Sequence, residues 1–315
     1  MAEALVVSSA EAGQKLLQFL ARRFDAPASV LHRWIRSGQV RINGGRAKPF
    51  DRVAQGNEIR VPPFAVCSTG AAGGLQQLAD VGEKGTKTGE IVAQGRLALP
   101  PIVAETDDLL VFCKPAGLAV HPGTGHTDSL TTRLLAHYSG ADFMPTPVHR
   151  LDIETSGLLL VAKTYTALRA LTDALARHDG SVRKEYLLWV RGDCPWSTPK
   201  HLQDRLAKQT DEAGYEKMLA TEAGKDASLT ALCVRRTRGA SLLLVRLHTG
   251  RTHQIRVQLA ARGFPLVGDV KYGGSCCDTG LKLHAARLIL AATRYESVPA
   301  WTGVWSVSTL PPPLS

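Results

Sequence analysis

One short stretch gathers much of the chain's reactive chemistry: Thr146-Pro147-Val148-His149-Arg150-Leu151-Asp152-Ile153-Glu154-Thr155-Ser156-Gly157, followed by the apolar run Leu158 to Ala162. A carboxylate on a loop just ahead of a strand buried on both faces is held by rigid structure while it faces a cleft. That placement suits a nucleophile or a general base. An Arg and an Asp two residues apart also make an ordinary solvated pair, so the chemistry needs partners from elsewhere. A second basic group can supply them: Arg251, His253 and Arg256, in Thr249-Gly250-Arg251-Thr252-His253-Gln254-Ile255-Arg256. An arginine paired with Asp152 would keep that carboxylate ionised at neutral pH. Tyr186, in Arg183-Lys184-Glu185-Tyr186-Leu187-Leu188-Trp189-Val190, fits either a site or a strand core.

Other chemistries find little support. No serine sits in a nucleophile elbow, and there is no Walker loop and no Gly-rich dinucleotide fingerprint after a strand. The cysteines Cys67, Cys113, Cys194, Cys233, Cys276 and Cys277 lack zinc spacing, and His284 follows the adjacent pair without a fourth ligand. His248 and His253 stand five apart on a turn. We therefore expect no metal, and free thiols in a reducing compartment. No apolar run approaches the ~18 residues of a membrane span, and the first residues lack the pattern of a signal peptide. A cytoplasmic protein without membrane contact is the expectation.

The elements that must position these groups fall into two parts. Leu16, Leu17, Leu20 and Phe24 form a helical stripe. Ser29 can cap a second helix from Val30 to Arg36, which ends at Ser37-Gly38. Gln39 to Asn43 alternates like a strand and turns at Asn43-Gly44, and Asn57 to Val61 is another short strand. Between Lys15 and Arg60 there are ten basic residues, among them Arg33, Arg36, Arg41 and Lys48, against three acidic ones. Much of the chain's formal charge of +10 thus sits in this small unit, the mark of a phosphate-binding surface. Residues 63–98, rich in glycine and small side chains, read as a flexible linker. The rest, 99–315, reads as many strands with few helices. Asp107 to Pro122 gives a strand, a Pro/Gly turn and a second strand, and Leu130 to Tyr138 a helix. Thr164 caps a helix with Leu168, Leu171 and Leu175 on one face. Further strands run through Arg183 to Val190, Ser228 to Arg236, Ser241 to Leu247 and Leu281 to Leu290, and a helix follows the turn at Thr249-Gly250. This is an α+β domain around a mixed, largely antiparallel sheet.

Two resemblances attach to these residues. Leu16 through Trp34-Ile35-Arg36-Ser37-Gly38-Gln39-Val40-Arg41-Ile42-Asn43-Gly44 to Ile59-Arg60-Val61 looks like the small RNA-binding domain named after ribosomal protein S-four, over residues 13–62. His149-Arg150-Leu151-Asp152 with Thr155-Ser156-Gly157-Leu158 strongly resembles the signature of the RluA-type pseudouridine synthases. Lys114-Pro115-Ala116-Gly117, Lys184-Glu185-Tyr186 and Thr249 to Arg256 resemble the same family in order. The resemblance implies an enzyme that converts uridine in RNA to its carbon-linked isomer without a cofactor. It implies Asp152 as the catalytic aspartate, Tyr186 as the active-site tyrosine and Arg256 as the arginine paired with Asp152. Leu283 would line the base pocket and Arg150 would hold the flipped nucleotide, with His149 and Arg251 beside the substrate. RNA would also lie on Arg33, Arg36, Arg41 and Lys48. Large-subunit ribosomal RNA is the expected substrate and transfer RNA the enzymatic alternative. A non-catalytic RNA-binding or ribosome-assembly protein is the contrasting class, and a monomer is expected. Ile153-Glu154 and Gln258 depart from the common pattern. Neither is expected to touch the aspartate, tyrosine or arginine, so both bear on substrate fit.

Overall fold

The computed structural model describes residues 4–24, 26–65, 98–123, 127–210, 216–274 and 280–314. The amino-terminal unit contains β1 (Ala4–Val6), α1 (Leu16–Arg23), α2 (Ala28–Arg36), β2 (Arg41–Ile42), β3 (Gly45–Arg46) and β4 (Glu58–Arg60). Its four strands lie in the order β1-β4-β2-β3. Asn43 and Gly44 both take positive φ, 48° and 78°, which closes the β2–β3 hairpin as the Asn-Gly pair predicts. Leu16, Phe19, Leu20, Leu31, Trp34 and Ile35 face inward and form a core of their own. Ser29 does not cap α2. The helix starts earlier, with Pro27 at the N-cap position and Ser29 inside the first turn. Most of the expected linker, residues 66–97, lies outside the described residues, as do Cys67, Cys276 and Cys277.

The larger unit adds β5 (Ile102–Glu105), β6 (Leu109–Lys114), α3 (Leu130–His137), β7 (Thr146–Pro147), β8 (Ser156–Ala162), α4 (Tyr165–Arg177) and β9 (Val182–Arg191). It continues with β10 (Lys200–Thr210), β11 (Glu216–Ala220), β12 (Lys225–Thr237), β13 (Ala240–Leu247), α5 (Gln254–Ala260), β14 (Leu283–Leu290) and β15 (Thr293–Glu296). The path through the sheet is β11-β10-β12-β13-β9-β14-β8-β6-β5, with β15 on β14 and β7 on β8. Every pairing is antiparallel except β8 with β14, which meet in parallel at Ser156–His284 and Gly157–Ala285. This matches the expected mixed, largely antiparallel α+β architecture. The second strand expected near Leu118 to Pro122 is irregular, with only an isolated bridge from Ala119 to Ser129, because Pro115 and Gly117 break the run and the carbonyls of Ala119 and Val120 are taken by the first N–H groups of α3 instead. Thr164 caps α4 as expected, its hydroxyl accepting from the Ala167 N–H at 3.2 Å. On the face opposite the site, Glu185 is sealed between Arg246 and Arg287 and accepts the Leu314 N–H at 3.0 Å, which pins the carboxy-terminal residues to the sheet.

The two units touch at the start of α4. The Tyr165 N–H donates to the Ala10 carbonyl at 2.9 Å, and its hydroxyl donates to Gln18 Oε1 at 3.1 Å. The Arg22 guanidinium stacks 4.5 Å from the Phe143 ring centroid.

Candidate active site

Asp152 sits on the loop that enters β8, and three devices hold that loop. Lys114 at the end of β6 is fully buried and donates to the carbonyls of Pro115 (2.9 Å), Leu118 (2.8 Å) and Ile153 (3.2 Å). The Gly117 N–H reaches the same Ile153 carbonyl at 2.8 Å, and the Thr155 N–H closes a turn onto the Asp152 carbonyl at 3.1 Å. Gly157 then passes so close to β14 that a Cβ on it would lie 2.3 Å from the Ala285 carbonyl oxygen, at a φ of +108° that favours glycine. The apolar run from Leu158 to Ala162 is buried on both faces, as its composition predicts.

Opposite this loop, the Gln254 side chain shapes the turn before α5. Its Oε1 accepts from Thr249 Oγ1 at 2.7 Å and from the Arg251 N–H at 3.0 Å. His253 takes a left-handed φ of 52° and starts the helix. Arg256, one turn on, is buried. Asp269 grips it through two bonds of 2.8 Å, and its free edge faces Asp152 Oδ2 at 3.7 Å. Burial alone would lower the Arg256 pKa, but Asp269, Glu154 and Asp152 more than offset it and raise the value, so the cation is permanent. Tyr186 on β9 is buried, and burial with Asp152 nearby raises its hydroxyl pKa. It is a phenol, not a phenolate, at neutral pH.

A cavity of about 390 Å³ brings together Asp152, Tyr186, Arg256 and Leu283, with His149, Arg150 and Arg251 also on its walls. Each of these seven positions was marked in the sequence. His149 differs in character from its basic neighbours. Its Nε2 accepts from the Leu160 N–H at 3.3 Å, and burial, reinforced by Lys184, pushes its pKa down to about 3. The ring is neutral and braces the loop from behind. Arg33, Arg36, Arg41 and Lys48 are exposed on the amino-terminal unit and do not line the cavity.

Two expectations need correction. Glu154 does touch the arginine, its Oε2 lying 3.1 Å from Arg256 Nη2, because the turn at Asp152 folds the next carboxylate back toward α5. Gln258 is fully buried and joins Gln254 (3.0 Å) to Asp204 (2.7 Å), so it ties α5 to β10 and makes no part of the cavity wall. Sequence reasoning missed Asp269 and the clamp made by Lys114. Nothing in the order of residues marks Asp269 as the partner of Arg256, whereas Lys114 stood in a motif whose ammonium had no assigned task. Among the described residues no group of three or more His, Cys, Asp or Glu side chains could hold a metal ion, and no helix is long and apolar enough to cross a membrane.

An aspartate beside a locked arginine, with a tyrosine ring and a leucine on the same walls, makes a pocket suited to nucleophilic or base chemistry on a flat, uncharged ring. Comparison with known proteins gives this class its family. Residues 108–261 match the family model for RNA pseudouridylate synthase. The ribosomal large subunit pseudouridine synthase C of Yersinia pestis is 36% identical over 297 residues, 93% of this chain and 87% of that protein. Its namesake from Escherichia coli (strain K12) is 34% identical, covering 90% and 87%. The chain belongs to the RNA pseudouridylate synthase family and is an RNA pseudouridine synthase, an isomerase. Two human proteins, RNA Pseudouridylate Synthase Domain Containing 1 and 4, share the fold. The first has a TM-score of 0.52 at 23% identity over 68% of this chain and 85% of its own, the second 0.52 at 21% over 67% and 91%.

Proposed function

We propose that the protein isomerises specific uridines of large-subunit ribosomal RNA, acting as a cytoplasmic monomer with Asp152 as its nucleophile or base. The observation that carries this reading is the convergence of Asp152, Tyr186, Arg256 and Leu283, from four separate segments, on one cavity. At about 390 Å³ it is large enough for a nucleoside. A uridine in folded RNA must leave its stack to enter. Its N1–C1′ bond then breaks, the uracil turns, and a C5–C1′ bond forms as the C5 proton leaves and N1 is protonated. Atoms and electrons balance within the nucleotide, so no redox partner is needed. Asp152 assists by attacking the sugar, attacking the ring, or taking the 2′ proton. Arg256, 3.7 Å away, holds that carboxylate aimed. Tyr186, kept protonated, packs on the uracil and acts through its ring. Arg150, exposed beside Asp152, holds the displaced backbone.

Both named relatives are ribosomal large subunit enzymes, which supports that substrate over transfer RNA. Arg33, Arg36, Arg41 and Lys48, exposed on a small separate core, support an S-four-like RNA-binding role for residues 13–62. Chemical mapping of pseudouridine in RNA from cells with and without the gene tests the reading. Sites should vanish from large-subunit RNA and return with wild type but not with Asp152→Asn. Loss from transfer RNA overturns the substrate, and rescue by Asp152→Asn overturns the role of that carboxylate.

A further inference from the structure

Behind Asp152 stands a chain of hydrogen bonds that the reaction as described does not use. The Met218 N–H donates to the Tyr272 hydroxyl at 3.2 Å. That hydroxyl lies 2.8 Å from His253 Nδ1, and His253 Nε2 faces Asp152 Oδ2 at 3.8 Å. Tyr272 is buried, with its ring edge-on to the imidazole (79° between planes) and the Arg256 guanidinium 5.3 Å from its centroid. Such packing gives the hydroxyl one orientation.

The tautomer of His253 follows from counting hydrogens. Tyr272 Oη already accepts from Met218, and its own hydrogen has no acceptor among the described residues except His253 Nδ1. If Nδ1 carried the imidazole proton, the tyrosine hydrogen would be left unpaired in a buried site, at a cost that such sites avoid. The lone pair of Nε2 would also point at the Asp152 carboxylate, which repels it. The opposite assignment removes both faults: Tyr272 donates to Nδ1, and Nε2–H faces the carboxylate.

We infer that Tyr272 and His253 are positioning residues for Asp152: the tyrosine sets the imidazole tautomer, and the imidazole presents an N–H donor to Oδ2, the same carboxylate oxygen that Arg256 faces. The gap of 3.8 Å is too long for a hydrogen bond. Closing it by about one ångström when substrate fills the cavity makes a charge-assisted bond, a tightening common in catalytic sites. The charges that face His253 are Asp152, Arg256, Lys271 and Asp269. Burial outweighs the pull of Asp152 and keeps the ring neutral, which leaves it a single proton to place. Burial likewise holds the Tyr272 hydroxyl protonated.

This inference rests on the reading of Asp152 as the reacting carboxylate, so one readout is chosen to be independent of turnover. Nitrogen-15 imidazole shifts of the full chain should report His253 as the Nε2–H tautomer, and Tyr272→Phe should mix the two tautomers. A His253 found as Nδ1–H overturns the proposal whatever the activity. Single-turnover assays on the target RNA supply the second test. Tyr272→Phe and His253→Ala should each slow the chemical step by about 10-fold to 100-fold, the range for losing a hydrogen bond to a charged group. Half-saturating RNA concentration should not change. His253→Gln, whose amide N–H can take the place of Nε2–H, should recover most of the rate. Wild-type rates in Tyr272→Phe and His253→Ala, alongside an inactive Asp152→Asn, refute the inference while leaving the function intact. A rise in half-saturating RNA without a slower step refutes it too, since it marks a substrate contact.

Discussion

Lys114 gives its ammonium to three backbone carbonyls, one of them the residue after Asp152. A neutral amine has only two N–H groups, so the clamp needs the charge. Burial, opposed in part by Asp152, lowers the Lys114 pKa to about 8. The catalytic rate should therefore fall as pH rises through about 8. Stability has the opposite sign. An unfolded chain holds this proton up to about 10.4, so between the two values the unfolded state binds more protons and this group's contribution to stability grows with pH. Rate profiles beside urea titrations at pH 7 and pH 9 check the pair. An alkaline loss of rate that tracks unfolding would remove Lys114 as its cause. At this scale the sequence was most legible where residue type alone restricts the chemistry, as at Asp152 and Arg256. It was least legible where a partner arrives from far along the chain, as Asp269 does for Arg256.

The parallel contact between β8 and β14 is where an element decides the site. Gly157→Ala would set a methyl carbon 2.3 Å from the Ala285 carbonyl oxygen and 2.6 Å from its nitrogen. The clash and the positive φ together should destabilise the fold by more than about 3 kcal/mol. Ala285 belongs to the strand that carries Leu283, so relaxation there also moves a cavity wall. Denaturant unfolding measures the loss, and a variant of wild-type stability would show that the two strands can part. β8 could be read from its apolar run because both of its faces are buried. β10 and β11 could not. In β10 only Leu202 and Leu206 turn fully inward, four residues apart amid charged and polar side chains, a spacing that suggests a helix as readily as a strand. β10 exists because β12 offers an edge to pair with, from Lys200–Ala231 to Leu206–Lys225, and β11 because β10 does in turn, a long-range cause that no local pattern carries.

For the whole molecule, charge is unevenly employed. Of the basic residues in the amino-terminal unit, Arg22 stacks on Phe143 and Arg23 pairs with Glu11 at 2.8 Å, so neither is spare. Arg33, Arg36 and Arg41 remain exposed. Replacing these three with Ala should weaken RNA binding and flatten its logarithmic salt dependence by about two to three units, with the rate at saturating RNA unchanged. An unaltered salt slope would assign RNA binding elsewhere. The joint between the units adds a metric consequence. Helix α4 meets the amino-terminal unit at Tyr165, while Thr172, Leu175 and Ala176 near its other end line the cavity. Ten residues separate Tyr165 from Leu175, about 15 Å at 1.5 Å per residue. Were RNA seated on the small unit, as proposed, that helix would act as a calliper. It would set how far a uridine must lie from a folded landmark to come within reach, and would make selection a matter of distance as much as of neighbouring bases.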